Sequence, residues 1–335
     1  MAKNSLGKHS FVPGDKAVLT AWASVAGKKE AQGPLGACFD ITQNDPYFGQ
    51  KTWEQAERKM QQLALQTLAE KSGMQMQDFD VVCSGDLLNQ CISSSFPLRN
   101  TGISHLGLYG ACSTMAESLL IAGMCVGGGY RDNIVAMTSS HFASSERQYR
   151  FPLGYGGQRT PTAQWTVTGA GAVLVTSSGD GPTIEGCTIG TVTDLGIKDA
   201  NNMGAAMAPA AYDTLQAHFR DTGRTPAYYD LVVTGDLGKL GSEILRDFFQ
   251  QDGTKLTNHN DCGLLLFDLV HQDVHCGGSG CGCSAAVLTG YLMRGLKNGT
   301  WKKILFCPTG ALLSPTSTMQ KESIPSICHA ISIEA

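Results

Sequence analysis

A cysteine, two aspartates and a histidine occupy positions at which α/β proteins do chemistry. Leu106-Gly-Leu-Tyr109 reads as a short strand, Gly110-Ala111 as a tight turn, and Ser113 to Gly123 as a helix. Cys112 then sits at a helix N-terminus, where unpaired N–H groups and the helix dipole favour negative charge. Such a place lowers a thiol's pKa and makes a nucleophile, or it holds a ligand carboxylate on the same amides. A buried structural thiol would have the same sequence. Gly-Asp-Leu occurs at two strand ends, with Asp86 and Asp236, and the first copy continues as Leu88-Asn89-Gln90. Carboxylates at strand ends manage protons or orient donors; equally, Asp caps turns. Ser140 and His141 follow the strand 133–138, and Arg147, Arg150 and Arg159 come soon after, on what reads as a loop. A His with several Arg on one loop suits a dicarboxylate.

Two further clusters invite chemistry and argue against it. Thr168-Gly-Ala-Gly-Ala-Val173 is glycine-rich but runs into a strand, so it opens no phosphate-binding helix and reads as close packing. His271, His275, Cys276, Cys281 and Cys283 crowd one segment near Cys262, yet contain no CxxC pair, so no metal site is expected. Asn260-Asp261-Cys262-Gly263 reads as a turn.

The elements that must position these residues repeat. Asp80-Val-Val-Cys-Ser-Gly-Asp-Leu87 matches Asp230-Leu-Val-Val-Thr-Gly-Asp-Leu237. Gly110-Ala-Cys-Ser-Thr-Met-Ala-Glu117 matches Gly280-Cys-Gly-Cys-Ser-Ala-Ala286, and Asn133-Ile-Val-Ala-Met-Thr138 matches Lys303-Ile-Leu-Phe-Cys-Pro308. Three matches in one order predict two copies of an α/β unit, residues 1–178 and 179–335. Trp53 to Lys71 reads as an amphipathic helix, with Met60, Leu63, Leu65 and Leu68 at helical spacing. Ala208 to Phe219 repeats it before the strand at Leu231. Helices alternating with continuously apolar strands imply sheets covered on both faces, with ligands at the strands' carboxyl ends.

Composition narrows the class. The chain has 335 residues, enough for two units or one large one. Charged residues are 16%, against about 25% on average, and hydrophobic residues 42%, which excludes a disordered chain. A net charge of −4 argues against nucleic acid as a partner. The 12 cysteines sit singly in apolar runs, as buried free thiols do. No apolar run reaches the length of a membrane helix. Lys3, Lys8 and Lys16 before Ala17 to Ala26 imitate a secretory signal, but Asp15, Thr20 and Ser24 break the pattern, and a buried first strand is expected there.

The duplicated unit, the cysteine at a helix start and the glycine-rich strand resemble the thiolase and ketoacyl-synthase superfamily. Within it, the chain resembles the stage V sporulation protein AD family almost from end to end. The resemblance rests on Glu30-Ala-Gln-Gly-Pro-Leu-Gly36, Gly85-Asp-Leu-Leu-Asn-Gln90, Gly110-Ala-Cys-Ser-Thr114, Ser139-Ser-His141, Glu146-Arg-Gln148 and Tyr155-Gly-Gly-Gln158. Later stretches are Met203-Gly-Ala-Ala-Met-Ala-Pro-Ala210, His259-Asn-Asp-Cys-Gly263, Gly277-Gly-Ser-Gly-Cys281, Thr309-Gly-Ala-Leu-Leu-Ser-Pro315 and Lys321-Glu-Ser-Ile-Pro325. It implies a thiolase-like fold and a binder of dipicolinic acid (pyridine-2,6-dicarboxylate) that supports transport of this acid across the spore inner membrane in sporulation and germination. It implies membrane proteins of the SpoVA system as partners, a cytoplasmic or peripheral membrane location, and a homodimer; it implies no cofactor. Cys112 matches the condensing enzymes' nucleophile. Where ketoacyl synthases of type III carry a catalytic His stands Gly235, followed by Asp236, and where they carry an Asn stands Gly282. Condensation needs those donors. The expectation is a condensing-enzyme cleft reused for binding, lined by Cys112, Asp86, Asn89, His141, Asp236 and Ser140; the alternative is an acyl-transfer enzyme with Cys112 as nucleophile.

Overall fold

The computed structural model describes residues 2–14, 16–149 and 158–335. The first half contributes strands β1 (Val18–Ala26), β2 (Val81–Gly85), β3 (Ser104–Gly107), β4 (Asn133–Ser140) and β5 (Gly169–Thr176). The second contributes β6 (Thr183–Thr188), β7 (Leu231–Gly235), β8 (His259–Asp261), β9 (Lys303–Ala311) and β10 (Ala330–Glu334). Across the sheet the first half runs β3-β2-β4-β5-β1 and the second β8-β7-β9-β10-β6, the same order from edge to centre. Each set is mixed: β2 is parallel to β3 and β4, and β5 is antiparallel to β4 and β1. The sets meet where β1 and β6 pair at Val18 and Thr183.

One hydrogen-bond pattern recurs at corresponding strand starts. Asp80 accepts hydrogen bonds from the amides of Asp132 and Asn133 at 3.1 and 3.0 Å. Asp230 accepts them from Lys302 and Lys303 at 2.6 and 3.0 Å. In each copy one carboxylate thus ties the strand's start to the neighbouring strand's start.

Helices fill three layers. On one outer face α1 (Trp53–Ser72) packs on β1 and β5. Thr52 caps it by accepting from the Gln55 amide at 3.2 Å. Met60, Leu65 and Leu68 turn inward and are fully buried, each contributing about 1.5–3 kcal/mol. Between the two strand sets of the sheet run α2 (Thr114–Gly127) and, further along the chain, the helix Cys281–Val287. The first touches β9 of the other half, and the second packs on β4 and β5 of the first. This crossed packing builds the largest apolar cluster, including Met115, Leu119, Val173, Val287, Leu288 and Phe306, all fully buried.

Several local expectations change. The segment after Ala17 is a largely buried strand, Val18–Ala26, paired along its length with β5 and at its start with β6. The second outer helix starts at Met203 rather than Ala208, because Asn202 caps it and Pro209 falls in its early turns. The segment after His141 is not a loop: Phe142–Tyr149 is helical, and we label it α3. Residues 260–263 are not a turn but the end of β8 and the start of a short helix, Cys262–Leu266, which Asp261 caps. All twelve cysteines are free thiols.

Candidate functional site

A pocket opens where the carboxyl ends of β2 and β7 face each other across the two central helices. Its lining includes Tyr109, Cys112, Ser145, Glu146, Tyr149 and Ser279. Leu87, Met203, Ala311 and Leu313 supply apolar wall.

Cys112 reaches it from a 3₁₀ turn, Ala111–Ser113, one turn ahead of α2. The turn is locked locally. Ser113 Oγ donates to Gly110 O at 2.7 Å, Thr114 Oγ1 donates to Ala111 O at 2.5 Å, and the Gly110 amide donates to Thr114 Oγ1 at 3.0 Å. Ala111 holds φ at +50°, the left-handed region, immediately before the thiol.

Of the readings that the sequence leaves open for this thiol, the electrostatics favour the protonated one. Burial first, and the neighbouring Asp236 carboxyl second, push the Cys112 thiol well above its ordinary value. The Gly280 and Cys112 amides oppose this and lose. The helix start therefore does not produce a thiolate: desolvation outweighs the partial charge of the amides. Asp236 is itself raised well above the carboxylate range, by burial and then by the charge of Asp261.

The two Gly-Asp-Leu copies have diverged. Asp86 is fully buried and satisfied: Oδ1 accepts from the Leu88 amide at 2.8 Å, and Oδ2 from the Ser94 amide and hydroxyl at 2.8 and 2.6 Å. It closes its own turn and does not line the pocket. Asp236 holds φ at +71°, and neither carboxyl oxygen finds a hydrogen bond of normal geometry; the Cys112 and Cys283 thiols are its neighbours. Asp261 has taken over the turn, accepting from the Leu237 and Gly238 amides at 3.1 Å each. Gly235 faces Ser284 and Pro308, so Asp236, not residue 235, is the group turned toward the thiol.

The remaining expected residues disperse. Ser140 is buried; its hydroxyl donates to Val167 O at 2.7 Å and accepts from the Gly282 amide at 3.1 Å. That bond places Gly282 so close that a Cβ there would lie 2.4 Å from Gly169 O and 2.6 Å from Ser140 N. His141 packs on the far side of α3, with Nε2 donating to Pro46 O at 2.8 Å and Nδ1 accepting from the Ala143 amide at 3.2 Å. Burial lowers its pKa, so it is held as neutral imidazole. Asn89 is exposed and lines a separate outer groove with Gln148, Leu312 and Pro315. Arg147 sits on α3, paired with Glu54, and Arg159 pairs with Asp273 at 3.5 Å; neither lines the pocket. Arg150 lies outside the described residues. His271 bonds Asp268, His275 bonds Thr160 O and Asp273, and the described residues bring no three such ligands together for a metal.

Two polar groups in the pocket were not expected. Ser145 Oγ is buried and has no hydrogen-bond partner. Glu146 Oε1 accepts from Thr166 Oγ1 at 2.9 Å. Both lie on α3, where the run of arginines suggests a loop. Cys281, buried against Cys112 and Leu87, is a further group near the thiol; its place in the duplicate of Gly110-Ala-Cys-Ser is its signal in the sequence.

The fold is shared with condensing enzymes and thiolases. The chain superposes on OleA of Xanthomonas campestris (TM-score 0.62, 12% identity, 98% of this chain and 100% of that one). It superposes equally on human mitochondrial 3-ketoacyl-CoA thiolase (TM-score 0.61, 10% identity, 98% and 100%). The 3-oxoacyl-[acyl-carrier-protein] synthase III of Aquifex aeolicus VF5 matches at TM-score 0.56 and 12% identity, over 95% and 100%. A curated relative, stage V sporulation protein AD of Bacillus subtilis strain 168, is 43% identical over 329 residues, 98% of this chain and 97% of its own. The family model for stage V sporulation protein AD (SpoVAD) matches residues 7–334. The chain therefore belongs to the stage V sporulation protein AD family, sporulation proteins built on the thiolase fold.

Proposed function

We propose that the chain binds dipicolinate in the Cys112 pocket without chemistry, and supports passage of this dianion across the spore inner membrane together with membrane proteins of the SpoVA system. The observation that carries the non-catalytic reading is the Cys112–Asp236 pair. An acyl-transfer thiol needs a base to take its proton and donors for an oxyanion. Here the buried carboxyl beside the thiol raises the thiol pKa, and no side chain fits at residue 282.

The same groups suit a carboxylate ligand. Asp236 does not line the pocket; kept protonated behind Cys112, it helps to keep the thiol a neutral donor toward the ligand. Ser145 Oγ offers a buried, unused hydroxyl, and Tyr109 a phenol once its bond to Tyr149 opens. No lysine or arginine stands among the described lining residues, so the anion is met by neutral donors. No helix among the described residues is long and apolar enough to cross a membrane, in keeping with a peripheral partner rather than a pore.

Calorimetric titration tests this reading, with isophthalate, which lacks the ring nitrogen, as control. Saturable dipicolinate binding without isophthalate binding is the expected result; no saturable heat over several temperatures overturns it. The second reading, acyl transfer, is favoured by one observation, the placement of Cys112 ahead of the central helix beside the Gly280 amide.

A further inference from the structure

The Cys112 pocket and the outer groove that carries Asn89 are neighbours. Both are lined by Tyr109, Tyr149 and Leu313. The two tyrosine hydroxyls meet at 2.9 Å. Tyr149 OH also lies 2.6 Å from Leu87 O and donates to it. Its single proton is thereby used, so Tyr109 donates to Tyr149. A bar of two phenols and one carbonyl thus stands in the shared wall.

The bar joins parts that are otherwise separate. Tyr109 precedes the turn that carries Cys112, whereas Tyr149 ends α3. Next to it Gln148 Nε2 donates to Leu87 O at 3.0 Å, and its Oε1 accepts from the Asn89 amide at 3.1 Å. The end of α3 is therefore pinned to residues 87–89 by side chains alone. Beyond that pin, Gln90 and Cys91 hold φ at +58° and +50°, two adjacent non-glycine residues in the left-handed region. The wall opposite α3 is strained where it meets the groove.

We infer that Tyr109 and Tyr149 form a gate: the ligand collects in the outer groove and reaches Cys112 by parting the two phenols. This rests on the dipicolinate reading only for the ligand's identity. Burial raises both phenol pKa values, so both hydroxyls keep their protons and the bar persists at neutral and alkaline pH. The occupant is a flat aromatic dicarboxylate, able to slide edge-on between two rings.

Two cysteines make the test independent of the ligand. Cys91 lines the outer groove and Cys112 the inner pocket. Pulse labelling with N-ethylmaleimide, read peptide by peptide by mass spectrometry, reports access to each side. Tyr149→Phe removes the bar's bonds to Tyr109 and to Leu87, and labelling of Cys112 is expected to rise about fivefold or more, as loss of two neutral hydrogen bonds implies. Labelling of Cys91 stays unchanged. Tyr109→Phe leaves the Leu87 bond intact and gives a smaller rise. With dipicolinate, stopped-flow rates of binding and release both rise in Tyr149→Phe while affinity changes little. An unchanged Cys112 rate in both variants, or a rise shared by the buried Cys187 and Cys307, overturns the gate. If dipicolinate fails to bind while the Cys112 and Cys91 contrast holds, the ligand is wrong and the gate stands.

Discussion

Asp236, after a strand of the second half, and Cys112, at a helix start of the first, meet as a buried carboxyl beside a buried thiol. Asp236 helps to keep the thiol protonated, whereas burial and the charge of Asp261, not the thiol, keep Asp236 protonated. Asp236→Asn removes the carboxyl whose ionised form, reached on the alkaline side, opposes thiol ionisation, while keeping the shape. The Cys112 thiol pKa should fall. Below that pKa, alkylation by iodoacetamide should speed up about tenfold for each pH unit by which the pKa drops. A pH–rate profile on the Cys112 peptide checks this; a slower reaction in the variant would refute the pairing.

Ser145 carries an opposite pair of expectations. Its buried hydroxyl has no partner in the ligand-free protein, an arrangement that costs about 1–3 kcal/mol. Ser145→Ala should therefore raise the melting temperature of the free protein. The same change should weaken dipicolinate binding, because the ligand loses a donor. Scanning calorimetry and titration of one variant give both signs. A fall in both would mean that the hydroxyl serves the fold instead.

Gly282 cannot be turned into the enzymes' asparagine. A Cβ there meets Gly169 O and Ser140 within 2.6 Å, both of them held by strand hydrogen bonds or by the Gly282 amide itself. Overpacking of this kind costs about 1–3 kcal/mol. Gly282→Asn should lower the unfolding free energy by that much and create no acyl transfer. Denaturant titration checks the first half. Intact-mass analysis with acyl-CoA checks the second: a stable adduct lost in Cys112→Ser would revive the enzyme reading.

Stability should decline on the alkaline side of neutrality. Burial pushes Asp86 and Asp261 up to about 6 and Glu30 up to about 7, and raises Glu57 and Asp236 well above the carboxylate range. Unfolded carboxyls titrate near ~4, so over this interval the native state holds more protons. Stability is then full below the unfolded pKa and is lost as pH rises through the folded values. The buried histidines act the other way. His218 and His329 are lowered to about 4 and His259 to about 3, so they favour the folded state increasingly as pH rises toward ~6.5 and add no further slope above it. From pH ~6.5 to ~8 the carboxyls set the slope, and above that the buried thiols, also raised by burial, add to it in the same direction. Thermal melts across that range at fixed salt should show a falling midpoint; a rising one would contradict these assignments.

The fold was legible in this chain because its two halves keep the same carboxylates at strand starts, Asp80 and Asp230, and the same apolar strands. Cys112 was legible for a similar reason, since a glycine turn before an apolar helix is a local pattern. The rest of the site was not. Asp86 and Asp236 share a motif, and only tertiary packing decides which is satisfied; Asp261, far along the chain, relieves Asp236 of its turn. Ser145 and Glu146 give no signal because α3 has no long apolar stripe to separate it from a charged loop. His141 looks chemical by type, but two backbone groups engage its ring. The sequence leaves the thiol's ionisation open because a helix start is visible there, while desolvation depends on how deeply the turn is covered.

The most direct measurement is protection of Cys112. N-ethylmaleimide labelling is followed by mass spectrometry while dipicolinate is titrated, with isophthalate in parallel. The account predicts a saturable loss of Cys112 labelling with dipicolinate alone, and no change at Cys125 or Cys187. Saturable heat of binding with Cys112 labelled at its free rate would place the ligand elsewhere and contradict the central claim.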